Sequence, residues 1–358
     1  MPGERGRARR VTISDIAARA GVSKGAVSYA LNDRPGLSDE TRKRILEIAK
    51  ELGWYPNRAA RALSAARADA CGLVLARPAR TLAIETFFME FMAGVESALS
   101  RREIALAVQL VDDPVGELAV YRRWWGEHRV DGVLLVDPRV DDPRFDEVER
   151  LGLPAVVVGG PLESHKVPAI WHDEALSVIE VVRYLAALGH ERLARVAGLD
   201  TFLHSRARSS AFRRAARELS LSARIVSTDF TPESGARATR QLLSDPEPPT
   251  AIIYDSAVLS VAGLGVTQQM GFGVPGDVSI VAWDDSLICQ VVHPPLTAVA
   301  RDIPAYGEAA VVRLLEEIEG RGDGSVEIPC GVLTPRGSTA PPASAASRRS
   351  RRVASRAR

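Results

Sequence analysis

Apolar residues follow two different patterns on either side of residue 70. Before it, they recur every three to four positions, which is the spacing of amphipathic helices. After it, short continuous apolar runs alternate with helical stretches, which is typical of buried parallel strands joined by helices. The pattern therefore predicts a small all-α region followed by an α/β body.

The first region is predicted to hold three short helices. The first covers about Ser14–Ala20, the second about Lys24–Asn32, and the third begins after Ser38. Gly21 ends the first helix because glycine tolerates the left-handed conformation of a helix C-terminus. Ser23 caps the second, since a serine hydroxyl accepts a hydrogen bond from the first turn of a helix.

Residues 57–69 form an Ala/Arg-rich stretch that starts with a possible capping residue, Asn57. Its helix propensity is high and its apolar surface small, so we expect a helix that is marginal by itself. Both ends of the chain are basic and low in complexity, and we expect residues 1–10 and 341–358 to be disordered. The resulting domains are 11–56, 57–69 and 70–340.

The body is predicted to be α/β, with doubly wound parallel sheets. About 270 residues are enough for two lobes. The predicted strands are Gly72–Ala76, Ala105–Leu110, Gly132–Val136, Ala155–Val158, Leu193–Ala197, Ala251–Tyr254 and Ser279–Ala282. The predicted helices include Phe91–Arg101, Ala175–Leu188, Ser209–Leu219 and Gly235–Leu243.

Charge is distributed unevenly, although the net charge is only +1. Residues 1–69 carry 14 Lys and Arg against 8 Asp and Glu, and residues 343–358 add six Arg, so the body between them is acidic. This distribution suggests that only the N-terminal region meets a polyanion. A solvated basic surface is the alternative, and charge alone does not separate the two.

Cysteine spacing and hydropathy exclude several classes of protein. Cys71, Cys289 and Cys330 are far apart and odd in number, which argues against a disulfide framework or zinc site and predicts buried, reduced thiols. No apolar run reaches the ~18–20 residues of a membrane span. No apolar segment of a secretory signal follows the basic N-terminus, so we expect a cytoplasmic protein. We also expect no metal or cofactor.

The turn Ala20-Gly21-Val22-Ser23 between two short helices is the arrangement of a helix-turn-helix. In such a unit the second helix enters the major groove of DNA. There Lys24 can donate to guanine, Tyr29 can contact base edges and Ala26 can meet a thymine methyl group. Thr12, Ser28, Asn32, Ser38 and Thr41 suit phosphate contacts. The alternative is a plain three-helix packing module.

Three motifs in residues 11–63 resemble the LacI/GalR repressor family. They are Val11-Thr12-Ile13-Ser14-Asp15-Ile16-Ala17, then Val27-Ser28-Tyr29-Ala30-Leu31-Asn32, and Leu52-Gly53-Trp54-Tyr55-Pro56-Asn57. The resemblance implies a DNA-binding headpiece, a hinge helix and a periplasmic-binding-protein-like sensor domain, working as a homodimer. It also implies that Leu63 wedges into the minor groove, where such a residue kinks the duplex. A linker residue packed on the body is the alternative for Leu63. The candidate DNA-binding residues are Thr12, Ser14, Ser23, Lys24, Gly25, Ala26, Ser28, Tyr29, Asn32, Ser38, Thr41, Asn57, Arg58 and Leu63.

The body resembles the same family more thinly, and the resemblance implies a small-molecule effector, most simply a sugar. Arg208 and Asp284 match ligand-contacting positions, and their guanidinium and carboxylate suit a polyhydroxylated ligand. Phe230 matches an aromatic residue that stacks on the ligand. The candidate effector-binding residues are Phe87, Phe88, Asp173, Arg208, Phe230, Tyr254 and Asp284. The alternatives are a surface charge for Arg208, a loop cap for Asp284 and plain core for the three Phe residues.

Three other functions compete with a ligand-controlled repressor. An enzyme is disfavoured because the chain has no H-E-x-x-H or P-loop motif. A solute-binding transport protein would need a signal peptide and no helix-turn-helix. A nonspecific architectural DNA binder would show no preference for one palindrome. His190 follows a predicted helix, and we expect it to stabilise the fold rather than act in catalysis.

Overall fold

The computed structural model describes residues 11–54, 67–77, 82, 85–160, 162 and 166–343. The predicted disordered ends therefore lie outside the described residues, apart from 341–343, as does most of the predicted hinge helix. The chain divides into two compact units, Met1–Ala68 and Asp69–Arg358. Each unit has its own hydrophobic core.

The first unit is a bundle of three short helices, α1 (Ile13–Ala20), α2 (Lys24–Leu31) and α3 (Asp39–Glu51). Gly21 ends α1 in the left-handed conformation, with φ of 67°. The helices pack around Ile16, Val27 and Ile45, which are fully buried. These bounds confirm the three helices expected from the spacing of apolar residues.

The second unit contains two six-stranded sheets, which define two lobes. The strands of the first sheet are β1 (Ala70–Ala76), β2 (Ala105–Val111), β3 (Gly132–Val136), β4 (Ala155–Val158), β5 (Ala169–Trp171) and β11 (Val326–Glu327). Those of the second are β6 (Arg192–Ala197), β7 (Ser222–Ser227), β8 (Ala251–Tyr254), β9 (Ser279–Trp283), β10 (Thr297–Ala300) and β12 (Val332–Thr334). All pairings are parallel except that of β10 with β12.

Nine helices of the described body cover the sheets. They are α4 (Thr86–Ser100), α5 (Pro114–Gly126), α6 (Pro143–Leu151), α7 (Glu174–Ala187), α8 (Leu203–Glu218), α9 (Pro232–Leu243), α10 (Ala257–Gln269), α11 (Leu287–Val291) and α12 (Ile303–Ile318). Helices α4 and α12 pack on one face of the first sheet, while α5 and α6 pack on the other. In the second lobe, α9 and α10 lie opposite α7 and α8. The predicted α/β architecture with doubly wound sheets is therefore confirmed.

The two sheets share one strand order. The first reads β2-β1-β3-β4-β5 and the second β7-β6-β8-β9-β10, each with one further strand at the end. The chain passes between the lobes three times, after β5, after β10 and between β11 and β12. In sheets of this order, ligands bind at the carboxyl ends of the strands, where the strand order reverses.

Three predicted helices begin three to six residues earlier than expected. Helix α4 starts at Thr86 instead of Phe91, α8 at Leu203 instead of Ser209, and α9 at Pro232 instead of Gly235. The first turn of α4 and the beginning of α8 face a cavity between the lobes. Polar and aromatic residues stand there in place of the apolar pattern on which the predicted bounds relied.

The cysteines are free thiols, but they are not all buried. Cys71 and Cys289 are buried as predicted, and burial raises the pKa of Cys71 to about 12. Cys330 is only half-buried, because it lies in the last passage between the lobes rather than in a strand or helix. His190 is buried between Thr250, Ser279 and the backbone carbonyl of Ala340, consistent with a structural role.

Candidate functional site

Helix α2 presents a polar face to solvent. Lys24, Gly25 and Tyr29 are exposed, and the ring of Tyr29 is 44% accessible. The opposite face buries Val27 and Ala30 in the core of the bundle. A helix held by one apolar face with its N-terminal residues free has the geometry needed to enter a major groove.

Several of the predicted DNA-binding residues also cap helices. Thr12 donates its backbone N–H and its hydroxyl to the Asp15 carboxylate at 2.8 and 2.7 Å. The Ser23 hydroxyl accepts the backbone N–H of Ala26 at 3.1 Å. The Ser38 hydroxyl donates to the Thr41 hydroxyl at 2.8 Å. These bonds fix the helix ends that carry the candidate contacts.

Arg42 holds the turn after α2, a role that the motif did not reveal. Its guanidinium donates to Asp33 at 2.7 Å and to the carbonyl of Arg34 at 2.6 Å. It also donates to the carbonyl of Tyr29 at 3.4 Å. Since Arg42 lies on α3, these bonds tie the C-terminal end of α2 to the third helix.

The other predicted DNA-binding residues divide into three groups. Ser14 and Asn32 are exposed, and the Asn32 amide donates to the carbonyl of Ser28 at 2.9 Å. Ala26, Ser28 and Thr41 are half-buried. Asn57, Arg58 and Leu63 lie outside the described residues.

A cavity of about 860 Å³, counted with the open solvent at its mouth, separates the two lobes of the body. Residues that directly follow strands line it from both sides. Arg77 follows β1, Asp137 follows β3, Asp255 follows β8 and Asp284 follows β9. The cavity therefore lies where this strand order favours ligand binding.

Arg77 is held by two carboxylates and three aromatic rings. Its guanidinium donates twice to Asp137, at 3.0 and 2.7 Å, and once to Glu85 at 3.4 Å. The guanidinium carbon lies 5.1–5.3 Å from the ring centres of Phe88, Phe202 and Phe230. Because Phe88 belongs to the first lobe and the other two rings to the second, Arg77 links the lobes through cation–π contacts.

Two further arginines of the cavity pair with carboxylates at the passages between the lobes. Arg208 donates to both oxygens of Glu174, at 2.7 and 2.8 Å, and lies over the ring of Trp283. Arg301 donates to one oxygen of Asp284 at 2.8 Å through Nε, and its Nη2 contacts the same oxygen. Arg301 also reaches Glu174 at 3.3 Å, which joins the two pairs into one network.

Asp255 pairs with Arg195, an arginine beneath the cavity. Arg195 donates to the two oxygens of Asp255 at 2.8 and 2.5 Å, and neither side chain is accessible. Asp255 also accepts the backbone N–H of Gly198 at 2.9 Å, while Arg195 donates to Ser209 at 2.7 Å. This pair therefore fixes the ends of β6 and β8 at the floor of the cavity.

Burial and the neighbouring charges shift several pKa values in the cavity. Burial, together with Asp137 and Asp284, raises the pKa of Glu85 to about 7 against the pull of Arg77. Burial and the charge of Arg208 lower the pKa of His204 to about 4, so this imidazole is neutral at pH 7. For Glu174, burial opposes ionisation, but Arg208, His172 and Arg301 hold the pKa well below its usual value.

Five of the seven predicted effector-binding residues line the cavity, namely Phe87, Phe88, Arg208, Phe230 and Asp284. Arg208 is buried rather than a surface charge. Phe88 and Phe230 are also buried, and both pack on Arg77. Phe87 is half-buried, and its ring stacks on that of Phe91 at 5.9 Å rather than on Arg77.

Asp173 and Tyr254 do not line the cavity, which corrects their expected role. The Asp173 carboxylate caps α7 by accepting the backbone N–H groups of Ala175 and Leu176, at 2.8 and 3.3 Å. Tyr254 points away into the second lobe, where its hydroxyl lies 2.9 Å from the Thr239 hydroxyl. In both cases the neighbouring residue faces the cavity instead, as Glu174 and Asp255 do.

The sequence reasoning missed several polar residues of the cavity. They are Arg77, Glu85, Asp137, His172, Glu174, His204, Asp255, Ser256, Arg301 and Tyr306. A usable signal was present, since five of them, Arg77, Asp137, His172, Asp255 and Arg301, directly follow a strand.

Within the described ranges, no group of three or more His, Cys, Asp or Glu residues could hold a metal ion. No helix in the described part of the chain is long and apolar enough to span a membrane.

A helix-turn-helix unit joined to a two-lobed α/β body with a cavity at its strand ends defines a class of ligand-controlled DNA-binding proteins. Residues 12–57 match the lacI family of bacterial regulatory proteins, and residues 182–339 match the periplasmic binding protein-like domain. The chain is 32% identical to the HTH-type transcriptional regulator CelR of Thermobifida fusca, over 88% of this chain and 94% of CelR. It belongs to the LacI family and is a DNA-binding transcriptional regulator.

Solved structures agree with this assignment. A LacI family transcriptional regulator from Bifidobacterium animalis subsp. lactis DSM 10140 is 36% identical, with a TM-score of 0.72, and covers 77% of this chain and all of its own. A structure described as a transcriptional regulator CelR–cellobiose complex is 29% identical, with a TM-score of 0.71, and covers 92% of this chain and all of its own. The relatives are transcription regulators rather than enzymes, transport proteins or architectural DNA binders.

Proposed function

We propose that this regulator binds a pseudo-palindromic operator as a homodimer and is controlled by a carbohydrate held between the lobes of its body. The cavity carries the proposal, because it combines paired carboxylates and guanidiniums with the half-buried ring of Phe87. Hydroxyl groups bond to both kinds of polar group, and an aromatic face suits the C–H face of a sugar. The cellobiose complex of a regulator 29% identical to this chain supports the same ligand class.

The effector half of the proposal is tested by thermal shift of the full chain with a panel of mono- and disaccharides. We expect at least one sugar to stabilise the protein, and Arg208→Ala and Asp284→Ala to abolish the response. Arg313→Ala is the matched control, because Arg313 is a buried, ion-paired arginine on α12 outside the cavity. A response that survives in both cavity variants would overturn the assignment of the site.

The DNA half of the proposal rests on the exposed face of α2. We expect the full chain to select an inverted repeat from random duplexes, since a two-fold dimer places two recognition helices on two half-sites. Lys24→Ala and Tyr29→Ala should weaken that preference, while Lys43→Ala on the exposed side of α3 serves as the control. Binding with no sequence preference would favour an architectural role instead.

The hinge and the remaining DNA contacts stay predictions from the family resemblance. The contacts are Thr12, Ser14, Ser23, Gly25, Ala26, Ser28, Asn32, Ser38, Thr41, Asn57 and Arg58, with Leu63 as the minor-groove wedge. Leu63→Ala should reduce DNA bending in a gel-mobility assay with permuted operator positions. Bending equal to that of the wild type would refute the wedge. A regulator of this kind would act in the cytoplasm, where its operator lies.

The proposed homodimer has a candidate surface in α11. Leu287 is 72% accessible and Val291 is 69% accessible, and Ile288 beside them is also exposed. Large apolar side chains grouped in this way are typical of an interface. We expect a dimer in sedimentation equilibrium and a shift toward monomer in Leu287→Asp. A monomeric wild type at micromolar concentration would contradict the proposal.

A further inference from the structure

We propose that the cavity selects an electrically neutral polyhydroxy ligand and rejects the carboxylate and phosphate derivatives of that ligand. The inference rests on the proposed carbohydrate function and narrows it to one class of sugar. Its basis is that each of the three arginines among the described lining residues is already bonded to a carboxylate. Each of these three guanidiniums therefore already has an anionic partner when an anionic ligand reaches it.

Arg77 is the first of these arginines. Both of its bonds to Asp137 use the same carboxylate oxygen, and the third N–H group reaches Glu85. The three rings around the guanidinium restrict it further, since they lie on it from both lobes. An anion that recruited Arg77 would have to separate it from Asp137 and leave that carboxylate in the cavity without its partner.

Arg208 and Arg301 are committed in the same way. Arg208 makes a two-bond pair with Glu174, the geometry in which an arginine binds a carboxylate most strongly. Arg301 divides its N–H groups between Asp284, His172 and Glu174. A ligand carboxylate or phosphate would compete with protein carboxylates that are already in place.

The balance of charge around the cavity is unfavourable to a further anion. The lining carboxylates are Glu85, Asp137, Glu174, Asp255 and Asp284, and they face Arg77, Arg208 and Arg301, with Arg195 behind. With Arg195 counted, carboxylates exceed guanidiniums by one when Glu85 is ionised. Burial is the largest cause that raises the pKa of Glu85 to about 7, and the charges of Asp137 and Asp284 add to it against that of Arg77. At a pH above this value, an anionic ligand would therefore add to an existing excess of negative charge.

A neutral polyol can use the same groups without separating them. Each carboxylate oxygen has two lone pairs, so Asp137 and Asp284 can accept hydroxyl protons while they stay bonded to arginine. Phe87 adds an apolar face at a half-buried position, with Arg301 on its ring at 5.8 Å. The cavity therefore offers hydroxyl acceptors and one aromatic surface, and both suit an uncharged sugar.

The test compares matched pairs of ligands on the full chain by isothermal titration calorimetry at pH 8. Suitable pairs are glucose with glucuronate, galactose with galacturonate, cellobiose with cellobiouronate, and each sugar with its 6-phosphate. For every neutral sugar that binds, we expect its anionic counterpart to bind at least about tenfold more weakly. An acid or phosphate that binds as tightly as its neutral partner overturns the inference but leaves a carbohydrate effector standing. If no member of any pair binds, the proposed function fails together with the inference.

Two variants test whether pairing causes the selectivity. Asp137→Asn and Asp284→Asn each remove one negative charge and leave Arg77 or Arg301 with fewer carboxylate bonds, so the ratio of neutral to anionic affinity should fall by at least about threefold in either. Asp245→Asn is the control, because Asp245 pairs with Arg224 at the surface and does not line the cavity. Thermal denaturation without ligand identifies a variant that fails to fold. The affinity ratio measured in the other variant then tests the mechanism. An unchanged ratio in a folded cavity variant would refute the mechanism.

Discussion

Replacing Asp255 by Asn would leave a fully buried arginine without the carboxylate that neutralises it. Arg195 and Asp255 are both inaccessible, and two hydrogen bonds of 2.8 and 2.5 Å join them. Removing one partner of a buried ion pair costs about 3–5 kcal/mol, because the remaining charge stays in a medium of low polarity. A domain of this size loses roughly 2 °C in Tm per kcal/mol. We therefore expect the Tm to fall by about 6–10 °C.

The chain contains a matched surface pair for comparison. Arg224 lies 2.5 Å from Asp245, and both side chains are partly accessible, at 42% and 31%. Because water solvates this pair, Asp245→Asn should leave the Tm almost unchanged. Differential scanning calorimetry of the two single variants isolates the effect of burial, since both exchange the same residue types. Equal shifts in the two variants would refute the reasoning.

A double variant separates two causes of the lower Tm, the lost hydrogen bond of Asp255 and the unpaired charge of Arg195. If the cost of Asp255→Asn comes from the buried cation, then adding Arg195→Met should restore part of the Tm. If it comes from the lost bond to the backbone N–H of Gly198, the second substitution should restore nothing. A double variant that is less stable than Asp255→Asn would therefore reject the explanation based on charge.

Three further predictions concern other parts of the body. The folded protein binds the Glu85 proton more tightly than the unfolded chain, so Glu85 should contribute up to about 3 kcal/mol of stability that is lost as pH rises from about 4.5 to 7. Because the lowered pKa of His204 changes stability in the opposite direction over this range, the measurement is the difference in Tm between wild type and Glu85→Gln, which should shrink as pH rises. Gly94→Ala should prevent α4 and α12 from packing, because the added Cβ would lie 2.0 Å from the carbonyl oxygen of Pro304, whereas Gly126→Ala meets nothing within 4 Å and should not lower the Tm. Tyr254→Phe should lower the free energy of unfolding by about 1 kcal/mol and leave the sugar affinity measured by calorimetry unchanged. A loss of affinity would show that Tyr254 belongs to the binding site.

The strands that the sequence predicts best are those with continuous apolar runs. Gly132–Val136, Ala155–Val158 and Ala251–Tyr254 have the same bounds in the structure, because both faces of these strands are buried. β7 was missed because most of its residues are accessible and no apolar run identifies it. β2 is also an edge strand, but it has a largely apolar run and was predicted. Local pattern therefore identifies strands by their apolar runs rather than by their place in the sheet.

The two errors in the cavity have a common physical origin. The predicted effector-binding set included Tyr254 and Asp173, while the structure places their immediate neighbours, Asp255 and Glu174, in the cavity. Successive side chains of a strand point to opposite faces, so a shift of one residue changes a cavity residue into a core residue. At a helix start, the capping residue uses its side chain for the backbone, and the next residue is free to face outward. Such distinctions depend on backbone geometry, which a sequence motif does not specify.

The ion pairs of the cavity also connect ligand binding to the arrangement of the lobes. Arg77 extends from the first lobe onto Phe202 and Phe230 of the second, and Arg301 and Glu174 lie where the chain passes between lobes. A ligand that bonds to these groups changes the contacts that hold the lobes together, because the same groups join the lobes. Its binding energy must therefore depend on the relative position of the lobes, and by linkage the ligand shifts that position. Any DNA response then follows from how strongly a sugar bonded to Asp137 and Glu174 favours one position of the lobes over another.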